Sequence, residues 1–336
     1  MTRILIIGTG GTIAGISNNS KGTDYVSGAR NVEELCEGLK GASYKAGEEK
    51  ERNTNIVDSF GLVNITTENM FNKNSDDITI TDLVRLKDLI DDHSKKDIYD
   101  GFVITHGTDT MEETAFFLSL CLKTDKPVIL TGSMIPSDIP GSDGPENLTG
   151  SIKAVCDLVN EGKNGRKVHV YFHGKLMDGK NIIKTHTEST DCFREDEKTG
   201  FSLHNLFNSI CDYIGLHNVV SVEDIPDKIN GLTAFPTIPV IPFHMDADPG
   251  VIDYYVNQSA KGMVIAGAGA GEFSLEYVER IKNSLNGSKI PVIRTSKIKN
   301  GPVNDNGTFD QITINGGSMT PEKAAVLLRI LLAIKG

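Results

Sequence analysis

Short runs rich in valine and isoleucine, continuous rather than alternating, constrain this chain more than any other feature. They fall at residues 4–7, 102–104, 127–130, 168–172, 238–241, 263–266 and 290–293. A run with no polar alternation suits a strand covered on both faces, as in a parallel sheet. Parallel neighbours need crossovers, and helical spacing occupies several of the intervals. Within 81–92 the apolar residues are Leu83, Val84, Leu86, Leu89 and Ile90, and 110–123, 146–160, 274–285 and 320–334 are patterned alike. Thr320-Pro321-Glu322 is a complete helix start: a capping hydroxyl, a proline whose missing N–H costs nothing there, and an acid at the positive end of the dipole. The expectation is an α/β fold: a larger N-terminal domain with a mainly parallel sheet flanked by helices, and a smaller C-terminal α/β domain.

The chain has 336 residues, which at roughly 150 per domain suggests two. The stretch 190–231 breaks the strand–helix rhythm with polar, mixed sequence and reads as irregular chain plus a linker. The expected division is a domain at 1–212, a linker at 213–232 and a second domain at 233–336. Lys and Arg number 34 against 45 Asp and Glu, a formal charge of −11. This disfavours nucleic acid as a partner, because phosphate contacts need a basic face. No stretch matches the roughly 20 apolar residues that cross a bilayer; the best candidate, 324–334, is short and holds Arg329. The opening MTRILIIGTGG lacks the long apolar core of a secretory leader. A cytoplasmic location is expected, with a periplasmic one as the alternative if a leader has been removed. The five cysteines (Cys36, Cys121, Cys156, Cys192, Cys211) are odd in number and form no CxxC, a poor basis for a zinc site or a disulfide framework. Cys121 and Cys156 sit in apolar helical patterns and read as buried free thiols.

The first strand runs into Gly8-Thr9-Gly10-Gly11-Thr12-Ile13-Ala14-Gly15. Glycines there permit a tight turn and close backbone approach. The dinucleotide fingerprint fits poorly, because Ile13 stands where its third glycine belongs, and no phosphate-loop lysine follows. Thr12 carries a hydroxyl at the carboxyl end of a central strand, where open α/β sheets bind ligands; the plain alternative is a turn threonine bonded to local backbone. A second apolar run leads into Thr105-His106-Gly107-Thr108-Asp109-Thr110-Met111-Glu112-Glu113-Thr114. Thr108 lies close to a helix N-terminus, a placement suited to an oxyanion. Asp109 and Thr110 could equally cap that helix, with Glu113 completing a capping box, and His106 reads as a satisfied structural histidine. Lys184, in Asn181-Ile182-Ile183-Lys184-Thr185, gains interest only if it meets Thr108 and Asp109. Gly132-Ser133-Met134-Ile135-Pro136 and Ser142-Asp143-Gly144-Pro145-Glu146-Asn147 bracket a long, turn-rich loop.

Together, the TGGTIAG, THGTDTMEET, GSMIPSDIPGSDGPENL, DGKNIIKT and PEKAAVLL segments resemble the bacterial-type L-asparaginases and glutaminase-asparaginases over nearly the whole chain. The resemblance implies hydrolysis of a side-chain amide to L-aspartate and ammonia, with no metal or organic cofactor. Thr12 matches the nucleophile, Tyr25 the tyrosine of the flap above it, and Thr108, Asp109 and Lys184 the second catalytic cluster. Thr67 and Glu68 match the pair that holds the substrate's α-groups, and a glutamate there implies secondary glutaminase activity. The family's partner-subunit asparagine falls on Glu272, which could also be a helix-capping acid; the partner-subunit glutamate has only Asn304 and Asp305 as candidates. The resemblance implies a homodimer or homotetramer, because a second subunit completes the site; Cys121 lies near one position of the disulfide of exported members, but no cysteine falls between Leu86 and Gly101 to pair with it.

Two readings from other classes compete. A dinucleotide-binding oxidoreductase explains the glycines at 8–15 but not THGTDT or Lys184. A non-catalytic amino-acid-binding protein would keep its function without the Thr12 hydroxyl. A third relative, the amidotransferase subunit that repairs charged tRNA, carries an extra N-terminal domain, whereas TGGTIAG begins here at residue 9.

Overall fold

The computed structural model describes residues 1–19, 24–37, 39, 42–44, 54–58, 61–162, 167–196 and 198–336. It forms two compact units, Met1–Glu195 and Asp196–Gly336. The first contains β1 (Thr2–Gly10), β2 (Ile16–Ser17), β3 (Tyr25–Val26), α1 (Val32–Glu37), β4 (Ala42–Tyr44), β5 (Thr54–Asp58), β6 (Gly61–Lys73) and α2 (Ile80–Lys95). It continues with β7 (Gly101–Thr105), α3 (Met111–Cys121), β8 (Val128–Thr131), α4 (Gly144–Asn160), β9 (Val168–Phe172), β10 (Lys175–Asp178), β11 (Ile182–Lys184) and β12 (Phe193–Glu195).

Eight strands make one sheet in the order β10-β9-β8-β7-β1-β6-β5-β4. The five central strands, β9 to β6 in that order, are parallel, while β10, β5 and β4 run antiparallel at the edges. The continuous apolar runs are the central strands, as expected: Ile4, Ile6, Val103 and Ile129 face a core shared with Val32, Leu148 and Val155 of α1 and α4. The alternate residues Leu5, Ile7, Phe102 and Ile104 are equally buried on the other face. Strand β1 has β6 on one side and β7 on the other, so the chain order reverses at β1. The carboxyl ends of these three strands form a switch-point crevice, the usual ligand site of such sheets.

A dinucleotide fold would start a helix directly after β1, to set its N-terminus against a pyrophosphate. Here β1 leads into a single 3-10 turn, Thr12–Ala14, and then the β2–β3 hairpin; α1 begins only at Val32. That local structure removes the oxidoreductase alternative's main support.

The second unit contains α5 (Lys198–Ile214), α6 (Ile225–Lys228), β13 (Val240–Pro242), α7 (Gly250–Asn257), β14 (Met263–Gly267), α8 (Leu275–Ser284), β15 (Val292–Ser296), β16 (Ile314–Asn315) and α9 (Pro321–Lys335). Its four strands are parallel in the order β13-β14-β15-β16. Its core joins Met263, Ile265 and Val292 to Ile252, Tyr277, Val278 and Ile281. Helix α9 starts as expected, with the Thr320 hydroxyl accepting from Lys323 N–H and proline in the first turn. Residues 198–214, expected to be irregular, are instead helical. Helix α5 packs on α9 and β16, which places it in the second unit, whereas the sequence reading carried the first domain to 212.

Candidate active site

Three loops leave the carboxyl ends of β1, β7 and β6 and meet closely, the first touching the other two through backbone. Gly11 has φ +80°, and a Cβ there would come within 2.4 Å of Gly107 N. A Cβ on Gly107 would in turn come within 2.8 Å of Ser75 Oγ. The Gly11 N–H donates to the Lys73 carbonyl at 3.0 Å. Only glycine fits at residues 11 and 107, so the glycines of TGGT and THGT form the floor where these loops meet.

Each threonine of interest is the next residue along. Thr12, 7% exposed, shares a 2.8 Å hydrogen bond with the Tyr25 hydroxyl, in which either oxygen can donate. Tyr25 lies on β3, directly paired with Ser17 of β2. Thr108, 5% exposed, accepts from Lys184 Nζ at 2.9 Å, and the same ammonium donates to Asp109 Oδ1 at 2.6 Å. A hydroxyl that accepts from an ammonium has its own proton left to donate elsewhere. The Lys184 side chain is only 13% exposed, and its backbone N–H donates to the buried Glu112 carboxylate in the first turn of α3. Asp109, 66% exposed, faces solvent. The structure thus joins Thr12 to Tyr25, and Thr108 to Asp109 and Lys184.

His106 is fully buried between the Gly107 carbonyl on Nδ1 (2.7 Å) and Thr114 Oγ1 on Nε2 (3.0 Å). Burial lowers its pKa to about 4, so it is the satisfied, neutral histidine that the sequence suggested. Thr110 is the N-cap of α3, but its side chain makes no cap bond. Its hydroxyl donates instead to the Ser75 carbonyl at 2.8 Å, which ties the β7 loop to the β6 loop. The expected capping box does not form because this hydroxyl holds two loops together.

Thr67 and Glu68 do not reach this mouth. They sit inside β6 in register with Ile6 and Ile7, well before the Gly10–Lys73 pair at the strand's end. Period-two alternation sends their side chains to opposite faces of the sheet. Thr67 donates to Glu33 of α1, and Glu68 meets His93 Nε2 of α2 at 3.0 Å. What arrives at the mouth is the 3-10 turn Ser75–Asp77 that follows β6, with Ser75 buried and Asp76 exposed. Sequence reasoning missed Ser75 and Asp76. The available signal was a Ser-Asp pair just ahead of the capped start of α2, where Thr79 and Asp82 form a capping box.

In the second unit, Glu272 is exposed at the turn after β14, where its backbone pairs with Ala268. It is not the helix cap: Ser274 caps α8 by accepting from Tyr277 N–H at 3.3 Å. The Asn304 carbonyl accepts from the buried Arg294, and Asp305 accepts from Asn315. All five cysteines are buried and free. Burial raises Cys36 to about 12 and Cys192 and Cys211 to about 11, which keeps these thiols protonated and unreactive.

A parallel sheet whose switch point carries two buried threonine hydroxyls, one on a tyrosine and one on a lysine–carboxylate pair, followed by a smaller parallel α/β unit, defines the class of two-domain α/β amidohydrolases. Within that class, the chain belongs to the asparaginase family. Residues 3–202 match the family model "Asparaginase, N-terminal", and residues 237–335 match "Glutaminase/Asparaginase C-terminal domain". The chain is 31% identical over 337 residues to L-asparaginase 2 of Bacillus subtilis, covering 99% of this chain and 83% of that protein. It is 28% identical to a glutaminase-asparaginase of Acinetobacter glutaminasificans, covering 98% and 94%. The crystal structure of a probable cytoplasmic L-asparaginase from Campylobacter jejuni superposes with a TM-score of 0.78 at 28% identity, covering 99% of this chain and 95% of that one.

Proposed function

We propose that the protein hydrolyses the side-chain amide of L-asparagine, with a weaker activity on L-glutamine, and that Thr12 is its nucleophile. The observation that carries this reading is the pair of threonine-centred clusters on loops that meet at Gly11 and Gly107. An amide is a poor electrophile and a neutral alcohol a weak nucleophile, so the site must activate the hydroxyl, hold an oxyanion and protonate the leaving nitrogen. Thr12 Oγ attacks the amide carbon as its proton passes into the hydrogen bond with Tyr25. The carbonyl oxygen becomes an oxyanion; as it collapses, the C–N bond breaks and the nitrogen takes the proton given up by Thr12, relayed through the Tyr25 hydroxyl, and leaves as ammonia. Water then cleaves the Thr12 ester, freeing L-aspartate. Thr108, backed by the Lys184 ammonium and Asp109, directs its hydroxyl to the reacting group.

Ser75 and Asp76, in the turn that follows β6, replace Thr67 and Glu68 as the residues for the substrate's α-carboxylate and α-ammonium. Glutamine turnover therefore no longer rests on Glu68; a relative named glutaminase-asparaginase supports it. A second copy of the chain supplies Glu272 to the site, in a homodimer or homotetramer. Five free, buried thiols support work in a reducing compartment such as the cytoplasm. The test is ammonia release from L-asparagine, L-glutamine and D-asparagine. Wild type is expected to prefer L-asparagine, and Thr12→Ala to lose at least roughly a thousandfold in kcat. Retention of wild-type turnover by Thr12→Ala would remove the nucleophile assignment.

A further inference from the structure

The loop between β8 and α4 reaches back to the base of the β2–β3 hairpin, far away in sequence. Both carboxylate oxygens of Asp138 accept from the Ser17 N–H, each at 3.0 Å. Beside it, the Ser137 hydroxyl donates to the Gly15 carbonyl at 3.1 Å. Ser17 is the residue directly paired with Tyr25 across the hairpin, and Tyr25 holds the Thr12 hydroxyl. A continuous path therefore runs from Asp138 through Ser17 and Tyr25 to Thr12. The hairpin needs such an anchor: its strands are two residues each, and a two-stranded hairpin is marginal in water. The loop that grips it is itself rigid. Asp143 accepts from Ser133 Oγ at 2.6 Å, from the N–H groups of Met134 and Ile135, and from Asn147 Nδ2.

We propose that Asp138 is a positioning residue: it latches the hairpin so that the Tyr25 hydroxyl stays on Thr12, and it sets the activity of the site without touching substrate. This rests on the catalytic reading of Thr12 and Tyr25 above. A charged acceptor makes the stronger bond to an N–H, and Asp138 is exposed, so its replacement leaves the core intact.

The experiment compares wild type with Asp138→Ala, Asp138→Asn, Tyr25→Phe and the double variant Asp138→Ala/Tyr25→Phe. Three readouts are taken: hydrogen exchange of peptides spanning 16–26, Tm, and kcat and KM for L-asparagine. Asp138→Ala is expected to speed exchange in the hairpin about tenfold and lower kcat/KM about tenfold at unchanged Tm. Asp138→Asn, whose amide oxygen still accepts from Ser17, is expected to recover most of both. In the Tyr25→Phe background, Asp138→Ala is expected to cost nothing further. Unchanged hairpin exchange in Asp138→Ala, or an equal kinetic loss with and without the Tyr25 hydroxyl, would overturn the latch. Hydrogen exchange needs no turnover. If wild type releases no ammonia, the functional reading fails while the anchoring of the hairpin is still decided.

Discussion

At the residue scale, the threonine clusters depend on neighbours whose titration can be followed. His106 is held near 4 in the fold against an ordinary value near 6.5. Between those values the unfolded chain binds more protons than the folded one, so stability rises with pH across this window and is fully present above it. At about 1.36 kcal/mol per unit, acid removes about 3 kcal/mol between pH 6.5 and 4. His106→Gln is expected to be less stable at neutral pH but to lose less than wild type on acidification, as read from urea midpoints at pH 7.5 and 4.5. The proposed substrate pair, Ser75 and Asp76, gives a second contrast. Asp76→Asn should raise KM for L-asparagine by at least roughly tenfold, the value of one lost charge-assisted contact, while Glu68→Gln, bonded to His93 away from the mouth, should leave KM within about twofold. Steady-state kinetics on the two variants decide between the pairs.

At the scale of elements, the crevice exists because the β1 loop meets the β7 and β6 loops backbone to backbone at Gly11. Gly11→Ala would set a methyl 2.4 Å from Gly107 N at φ +80°. We expect a cost of about 3 kcal/mol, from strain and overpacking together, with a fall in kcat as Thr108 is displaced. Thermal unfolding and kinetics together check this. The sequence disclosed most of this architecture where burial is complete. Ile4 to Ile7, Phe102 to Ile104 and Met263 to Ala266 are covered on both faces and therefore appear as unbroken apolar runs. Strand β6 did not appear, because residues such as Thr67, Glu68 and Asn69 meet helices or solvent through polar groups. Without that strand's end point, nothing in the sequence places the Ser-Asp turn at the mouth, and the motif match falls on Thr67 and Glu68 instead. Helix α5 was hidden in the same way, by polar composition around an apolar face of Leu203, Leu206, Phe207 and Ile210. Thr108, Asp109 and Lys184 were legible as motifs, but only the fold brings one lysine to both other groups.

At the scale of the whole molecule, the assembly can be tested by complementation. Thr12→Ala subunits keep Glu272, and Glu272→Ala subunits keep Thr12. If one copy's Glu272 completes the other's site, each variant alone should be weakly active. An equal mixture, unfolded and refolded together, should recover about a quarter of wild-type ammonia release, because about half of the randomly formed pairs are mixed and each mixed pair contains one intact site of two. Light scattering on the same samples reports the size of the active species. The bare backbone floor at Gly11 and Gly107 has a further consequence. Nothing there can be trimmed or exchanged to enlarge the chamber, so any shift of preference towards a longer amide must come from its walls and roof, such as the turn after β6 and the hairpin bearing Tyr25.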